Sequence, residues 1–339
     1  MSALQVDSRN LDDAPIADSS AFGSSIPVID LASDLSPAVI DEIAQACAKW
    51  GFFQVVGHGI HTDLIHRVMD ETRTFFGQPK DAKRALSRTR DNPWGFYDRE
   101  LTKNVRDKKE IFDIGPSLEP SLTSRDPFTG RTPWPVSRPR FEQTMRRYFS
   151  ECERLSVRLM EAVCLGLAAP KDGLAKYFQP VHTSFLRLNY YPVADPLGDE
   201  PSSGADLGVH HHTDAGALTL LLQDDVKGLQ VYRDGAWYSV TPLKGAFVVN
   251  IGDMIQVWSN DIYHAAIHRV LAMDRLDRYS LPFFFNPAYE AVVFPLAATV
   301  DDSRPANYRG IPWGEFRRKR ADGDYANNGA EVQISDYRT

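Results

Sequence analysis

His212-Thr213-Asp214-Ala215-Gly216-Ala217-Leu218-Thr219 leads directly into Leu220-Leu221-Leu222-Gln223. Ala217–Gln223 reads as a short strand, and it is one of a series. From Thr183 to Phe294 the chain is a succession of such runs broken by Gly, Asp and Asn. They are Phe185–Tyr191, Ala217–Gln223, Leu229–Tyr232, Trp237–Val240, Ala246–Ile251 and Arg278–Phe285. Many short strands at close spacing predict a sandwich, jelly roll or barrel.

Upstream the texture differs. Residues 1–25, rich in Ser, Asp and Ala, are expected to form a flexible lead-in. Ile26–Asp30 and Phe52–Val56 read as strands. Ser36-Pro37 opens a helix that buries Ile40, Ile43, Ala44 and Cys47, with Gly51 ending the run. A second amphipathic helix carries Leu64, Ile65, Val68, Met69, Thr72, Phe75 and Phe76. Residues 87–137 look irregular, and a long helix follows from Arg140 to Leu167. The expected organisation is a lead-in over 1–25 and an α/β and helical support region over 26–180. A β core over 181–300 and a C-terminal helix and tail over 301–339 complete it.

At 339 residues the chain can bury a large core. A net charge of −7, mixed along the sequence, leaves no electrostatic footprint for nucleic acid or an anionic membrane. No apolar run approaches the length of a membrane span, and the N-terminus lacks the basic start and apolar stretch of a secretory signal. Cys47, Cys152 and Cys164 are widely spaced and read as reduced core thiols. A cytoplasmic location is the expectation.

Chemistry concentrates in the β-rich segment. On an extended strand alternate side chains share a face. His212 and Asp214 therefore point the same way, as do Arg278, Ser280 and Phe284. Arg187, Asn189 and Tyr191 form a polar face opposite Leu186, Leu188 and Tyr190. Taken singly each is unremarkable: a lone His-x-Asp is weak, and His268 alone is more often a core histidine than a ligand. Their co-occurrence is what matters. Two histidines and a carboxylate on one side of an ion suit a non-haem Fe(II) oxygenase, whose other coordination positions stay open.

These stretches resemble the iron- and 2-oxoglutarate-dependent oxygenases of the isopenicillin N synthase-like family. The likeness rests on Asn189-Tyr190-Tyr191-Pro192, His212–Thr219, Gly228–Val231, Val249–Asp253, Trp258–Asn260, His268-Arg269-Val270 and Arg278-Tyr279-Ser280. Ile26–Leu31 and Trp50–His58 add to it. The resemblance implies a mainly β double-stranded β-helix (jelly roll) core with flanking helices. It also implies Fe(II) on His212, Asp214 and His268, and 2-oxoglutarate held by Arg278 and Ser280 with Asn189 and Tyr191 near its chelating end. The reaction implied is hydroxylation or desaturation of a small organic molecule, consuming O2 and releasing succinate and CO2. A 2-oxoglutarate-independent iron oxidase of the same fold is the alternative.

Departures from the family pattern are His210 and His211 beside the ligand position, His264 where many relatives carry Lys, and Val193-Ala194 where Pro-Cys often stands. Parity nominates Phe284 and Arg187 as substrate neighbours, Arg187 for a carboxylate or phenolate, or else for a surface salt bridge. Phe96 and Tyr97 are expected to form a lid. A natural-product-like or hormone-like substrate follows from the family alone.

Overall fold

The computed structural model describes residues 11, 14–17, 26–102, 104–117, 130–198, 207–325 and 332–339. The first elements are β1 (Val28–Asp30), α1 (Pro37–Lys49), β2 (Phe52–Val56), α2 (Thr62–Phe76) and α3 (Lys80–Arg84). Next come β3 (Gly95–Tyr97), β4 (Leu101–Thr102), β5 (Val105–Arg106), β6 (Glu110–Ile114) and the long α4 (Pro139–Gly166). The β-rich part holds β7 (Phe185–Tyr191), β8 (Leu207–His212), β9 (Leu218–Gln223), β10 (Leu229–Arg233), β11 (Ala236–Ser239) and β12 (Phe247–Ile251). It continues through α5 (Asp253–Trp258), β13 (His268–Leu271) and β14 (Arg278–Phe285), and α6 (Trp313–Arg320) follows.

Two sheets face each other. The larger has the order β1-β2-β12-β9-β14-β7-β6-β3, the smaller β11-β10-β13-β8. Alternation along the central strands divides the interior. Leu186 and Leu188, Leu218, Leu220 and Leu222, Phe247, Val249 and Ile251, and Leu281, Phe283 and Phe285 all join one buried cluster with residues of α1, α2 and α4. The opposite parity of β7, β9 and β14 lines a cavity between the sheets. The jelly-roll core with flanking helices is thus present, and the expected polar face of β7 is the face that meets the cavity.

Local signals explain the supports. Ser36 Oγ accepts the Val39 N–H at 3.3 Å, with Pro37 in the first turn of α1. Gly51, with φ +61°, turns the chain from α1 into β2. A Cβ there would sit 2.2 Å from the His264 carbonyl oxygen, so only glycine fits.

One expectation needs correction. The span 87–137 is not irregular throughout: it contributes β3 and β6 to the edge of the large sheet and the β4–β5 hairpin. Charged residues on these short strands hid them, because their partners lie far away in sequence. Lys83 Nζ reaches Glu110 at 2.5 Å, and Arg187 forks onto Asp113. The expected lead-in over 1–25 falls mostly outside the described residues; residues 11 and 14–17 are described and are held in place. Ile16 bridges Trp237, whose indole N–H donates to the Leu11 carbonyl at 2.7 Å. Strands from before residue 180 flank those from after it in the large sheet, β1 and β2 on one edge and β6 and β3 on the other.

Candidate active site

Two strand pairs carry most of the site. His212 at the end of β8 lies directly opposite His268 at the start of β13. Their rings are 4.3 Å apart between centroids. Asp214 lies just beyond β8, where the chain has left the strand, and its Oδ1 is 3.6 Å from His212 Nε2 and 3.8 Å from His268 Nε2. Bonds from imidazole or carboxylate to a divalent transition metal run to roughly 2.1 Å, so ligand atoms sharing one ion lie within about 4.2 Å of each other. Among the described residues, these three form the one His/Cys/Asp/Glu group able to hold a metal.

The surroundings fit that reading atom by atom. The other ring nitrogens are occupied: Nδ1 of His212 donates to the His210 carbonyl at 2.7 Å, and Nδ1 of His268 to the Ala266 carbonyl at 3.2 Å. Both Nε2 atoms are left with a lone pair towards the centre. Asp214 Oδ2 accepts from Thr219 Oγ1 at 2.5 Å and Asn250 Nδ2 at 2.7 Å, which leaves Oδ1 for an ion. Burial opposes ionisation of Asp214, but the electrostatic influence of the facing His268 and His212 rings and the hydrogen bond from Thr219 outweigh it and hold the carboxyl well below its usual range. Burial and the neighbouring His212 push His268 down to about 4, so the ring is neutral, as a ligand must be. His210 is turned away to Asp107, which accepts both its backbone and its ring N–H.

The second pair is β7 with β14. Tyr191 lies opposite Arg278, and Asn189 opposite Ser280. Arg278 is fully buried; its Nη2 donates to Gln223 Oε1 at 2.9 Å and its Nε to the Val226 carbonyl at 3.3 Å. Nη1 of Arg278, Oδ1 of Asn189 and Nε2 of Gln223 are buried with no hydrogen-bond partner. Buried orphans of this kind cost stability unless a ligand pairs them. A fixed guanidinium with a free N–H and a hydroxyl two residues away suits a carboxylate. The donor set therefore fits a dicarboxylate reaching from the metal to Arg278.

His212, Asp214, Thr219, Asn250, His268, Asn189, Tyr191, Arg278 and Ser280 line one cavity of ≈ 280 Å³, together with Phe284, Phe185, Arg187, Glu100, Lys109, Trp94 and Trp313. Phe284 is where parity put it. Arg187 also lines the cavity, but as a paired charge: Nε and Nη2 meet Asp113 at 2.7 and 2.8 Å, and Nη1 meets Glu100 at 3.1 Å. Phe96 is fully buried in the core beside Lys83 and does not reach the cavity. Tyr97 stands behind Arg88, whose guanidinium lies 3.6 Å over its ring. The aromatic segment does contribute, through Trp94 rather than Phe96 and Tyr97. Thr219, Asn250 and Gln223 went unrecognised in the sequence. The signal was present: a polar residue in each of two apolar strands, Asn250 lying opposite Thr219.

Comparison with known proteins fixes the class. A model of the 2OG-Fe(II) oxygenase superfamily matches residues 182–287, and one of the N-terminal region of non-haem dioxygenases in morphine synthesis matches 26–137. Thebaine 6-O-demethylase of Papaver somniferum is 33% identical over 308 residues, covering 86% of this chain and 80% of that protein. The chain belongs to the 2OG-Fe(II) oxygenase superfamily. Its fold agrees: a JOX2 structure in complex with 2OG, Fe and JA aligns with a TM-score of 0.77 at 29% identity, over 96% of this chain and 90% of that one. A rice dioxygenase for auxin oxidation aligns at 0.72 and 29%, over 93% and 100%. This 2OG-Fe(II) oxygenase is accordingly an Fe(II)- and 2-oxoglutarate-dependent dioxygenase acting on a small molecule.

Proposed function

We propose that His212, Asp214 and His268 hold Fe(II), and that Arg278 and Ser280 hold the distal carboxylate of 2-oxoglutarate. Asn189 and Tyr191 stand at its chelating end, and the product is a hydroxylated or desaturated small organic molecule. The single observation that carries this reading is the buried, unpartnered Arg278 Nη1 in the same cavity as three converging ligand atoms. Fe(II) with 2-oxoglutarate and O2 supplies an oxidant that removes hydrogen from a C–H bond, with succinate and CO2 as co-products.

The chain's own residues position and insulate. Thr219 and Asn250 fix the Asp214 carboxylate so that one oxygen alone faces the centre. Gln223 and the Val226 carbonyl hold the Arg278 fork before any ligand arrives, so little side-chain entropy is lost on binding. Phe52 lies edge-on to His268 at 5.2 Å between centroids, and with Val209, Leu221, Leu229 and Val270 it keeps this end of the cavity apolar. An apolar wall excludes water and strengthens the charge pairing at Arg278.

No helix among the described residues is long and apolar enough to cross a membrane, and Cys47, Cys152 and Cys164 are buried free thiols. These observations support a reducing, cytoplasmic setting. A cavity of ≈ 280 Å³ between the sheets and the net charge of −7 support O2 and a small molecule, not nucleic acid, as partners. The structurally similar JOX2 and auxin dioxygenase carry hormone-sized ligand names, which supports a substrate of that size.

The test is an anaerobic titration of Fe(II)-loaded protein with 2-oxoglutarate, following the visible charge-transfer band of the chelate. A band that needs far more 2-oxoglutarate in Arg278→Ala supports the assignment. Iron retained without any band would favour the oxidase that takes its substrate directly on iron.

A further inference from the structure

β7 lays the cavity out as a line. Tyr191, Asn189, Arg187 and Phe185 point to one face, spaced about 7 Å apart as alternate strand residues are. Tyr191 and Asn189 stand at the Arg278 end. Beyond them comes a charged stretch and then a pair of stacked rings, Phe185 on Phe284 at 4.6 Å and 25° between planes, with Trp94 5.8 Å from Phe185. The far lobe, which the 2-oxoglutarate reading leaves to substrate, is therefore an aromatic shelf with a polar step beside it.

The step has a defined composition. Arg187 joins Asp113 to Glu100, and Glu100 in turn faces Arg88. Two acids and two bases balance. Lys109, also at the wall, is paired with Asp107 at 3.0 Å. On the opposite wall Arg320 faces Asp253 at 3.7 Å, while Arg317 reaches in from the half-exposed side of α6 and is itself engaged. Within the step itself, Arg88 and Arg187 are matched by Glu100 and Asp113, which leaves no surplus positive charge there for an anion.

Within it, one atom is incomplete. Glu100 lines the cavity although only 3% of it is exposed. Its Oε1 is 3.1 Å from Arg187 Nη1, whereas Oε2, 3.1 Å from Arg88 Nη1, accepts no hydrogen bond. Burial opposes its ionisation, but Arg187, Arg88 and Lys109 outweigh that and keep the carboxyl below its ordinary range. The oxygen is already closed off from water, so a ligand that offers it a hydrogen supplies the bond it lacks, and one that does not leaves it unsatisfied. Sites built this way discriminate strongly against analogues lacking the donor.

We propose that the substrate is an uncharged planar ring compound bearing an N–H or O–H donor, with its ring on Phe284 and Phe185 and its donor on Glu100 Oε2. Glu100 is then the specificity-determining residue of the lobe. This rests on the oxygenase reading, in which the Arg278 end of the cavity is filled by 2-oxoglutarate.

Three compounds of one skeleton separate the possibilities: 2-naphthol carries the donor, 2-methoxynaphthalene lacks it, and 2-naphthoate is an anion. Their binding to full-length protein loaded with Fe(II) and 2-oxoglutarate is followed anaerobically by calorimetry, with the heat of 2-oxoglutarate measured separately. The naphthol is expected to bind about tenfold or more tighter than the other two. Glu100→Gln is expected to erase that preference while leaving the 2-oxoglutarate heat unchanged, which also shows that the variant is folded. Phe284→Ala is expected to weaken all three probes alike. Tightest binding of the naphthoate, equal binding of all three, no binding of any, or a naphthol preference that survives Glu100→Gln would each overturn the proposal. Loss of the 2-oxoglutarate heat in unaltered protein would instead overturn the cofactor assignment, and the probe series would still report on Glu100.

Discussion

At one end of the cavity, Asn189 and Tyr191 stand directly opposite Ser280 and Arg278 across β7 and β14, and His212 stands opposite His268 across β8 and β13. At the other end, Arg88, Trp94, Glu100, Asp113 and Arg187 come together through ion pairs and ring contacts between segments far apart in sequence. The first end is set by sheet register, which hydrophobic alternation enforces along the whole strand. The second is set by side-chain pairing at a sheet edge, where a single substitution re-aims a neighbour. Chemistry shared across a superfamily can rest on the former, and substrate choice can drift on the latter.

The comparison is broken most directly at the metal. Asp214→Ala removes the one carboxylate among the three ligand atoms and leaves His212 and His268 as a bare pair of imidazoles. Fe(II) retention after dialysis, read by metal analysis, is expected to be lost altogether. Glu100→Gln, at the far end, is expected to retain iron fully. Iron loss in both would mean that the ends are one cooperative unit.

Arg278→Ala comes next. The side chain is fully buried and offers a charged, unpartnered N–H. Charge-assisted hydrogen bonds contribute about 1.5–3 kcal/mol, so 2-oxoglutarate affinity should fall roughly 10- to 100-fold. Arg278→Lys should recover little of it, because a single ammonium cannot reproduce the fork that Gln223 holds. Full recovery by lysine would reduce the role of Arg278 to a point charge.

Acid should separate the two ends as well. His268 is pushed down to about 4 in the folded protein by burial and by His212, against about 6.5 in the unfolded chain. Between those values the unfolded chain binds the extra proton, so stability rises with pH across that window. Metal-free protein should be fully stable by this contribution above about 6.5 and should lose it progressively as the pH falls towards about 4. The Tm of His268→Gln should fall less steeply over the same range. An identical slope in the variant would place the acid sensitivity elsewhere.

What the sequence revealed follows the same division. Phe185–Tyr191 and Arg278–Phe285 alternate cleanly, and their cavity-facing residues could be named from parity alone. β8 is not legible as a strand because Leu-Gly-Val-His-His-His has no alternation to read, although it carries His212. α5 was missed because six residues are too few for helical periodicity to register. The lid expected of Phe96 rests on an aromatic loop, and the core position of Phe96 is not legible for a related reason. Its strand is three residues long and starts at Gly95, whose φ of +115° belongs to a conformation other residues rarely adopt, so parity carried no information about which neighbour faces inward. The bidentate pairing of Arg187 with Asp113 spans 74 positions and leaves no local trace.

A milder test probes the support of the metal ligands. Thr219→Val keeps the shape of the side chain and removes the hydroxyl that donates to Asp214 Oδ2. Asn250 still holds that oxygen, so the carboxylate should stay in place but lose part of its orientation. Fe(II) affinity should drop by about tenfold, the lower part of the range for such outer contacts. No change would mean that Asn250 alone is sufficient.

The smallest expected effect lies at Tyr97, where the sequence pointed to a lid and the structure shows a backing. The ring of Tyr97 sits 3.6 Å beneath the Arg88 guanidinium, and Arg88 faces Glu100 at the cavity wall. Tyr97→Leu preserves bulk but removes the aromatic face, a contact worth about 0.5–1 kcal/mol at a site open to solvent on one side. Ligand affinity in the far lobe should therefore weaken no more than about fivefold, and 2-oxoglutarate affinity should not move. A leucine that instead left ligand affinity intact while accelerating ligand release and entry equally would restore the lid, because a gate changes both rates together whereas a backing changes the bound state.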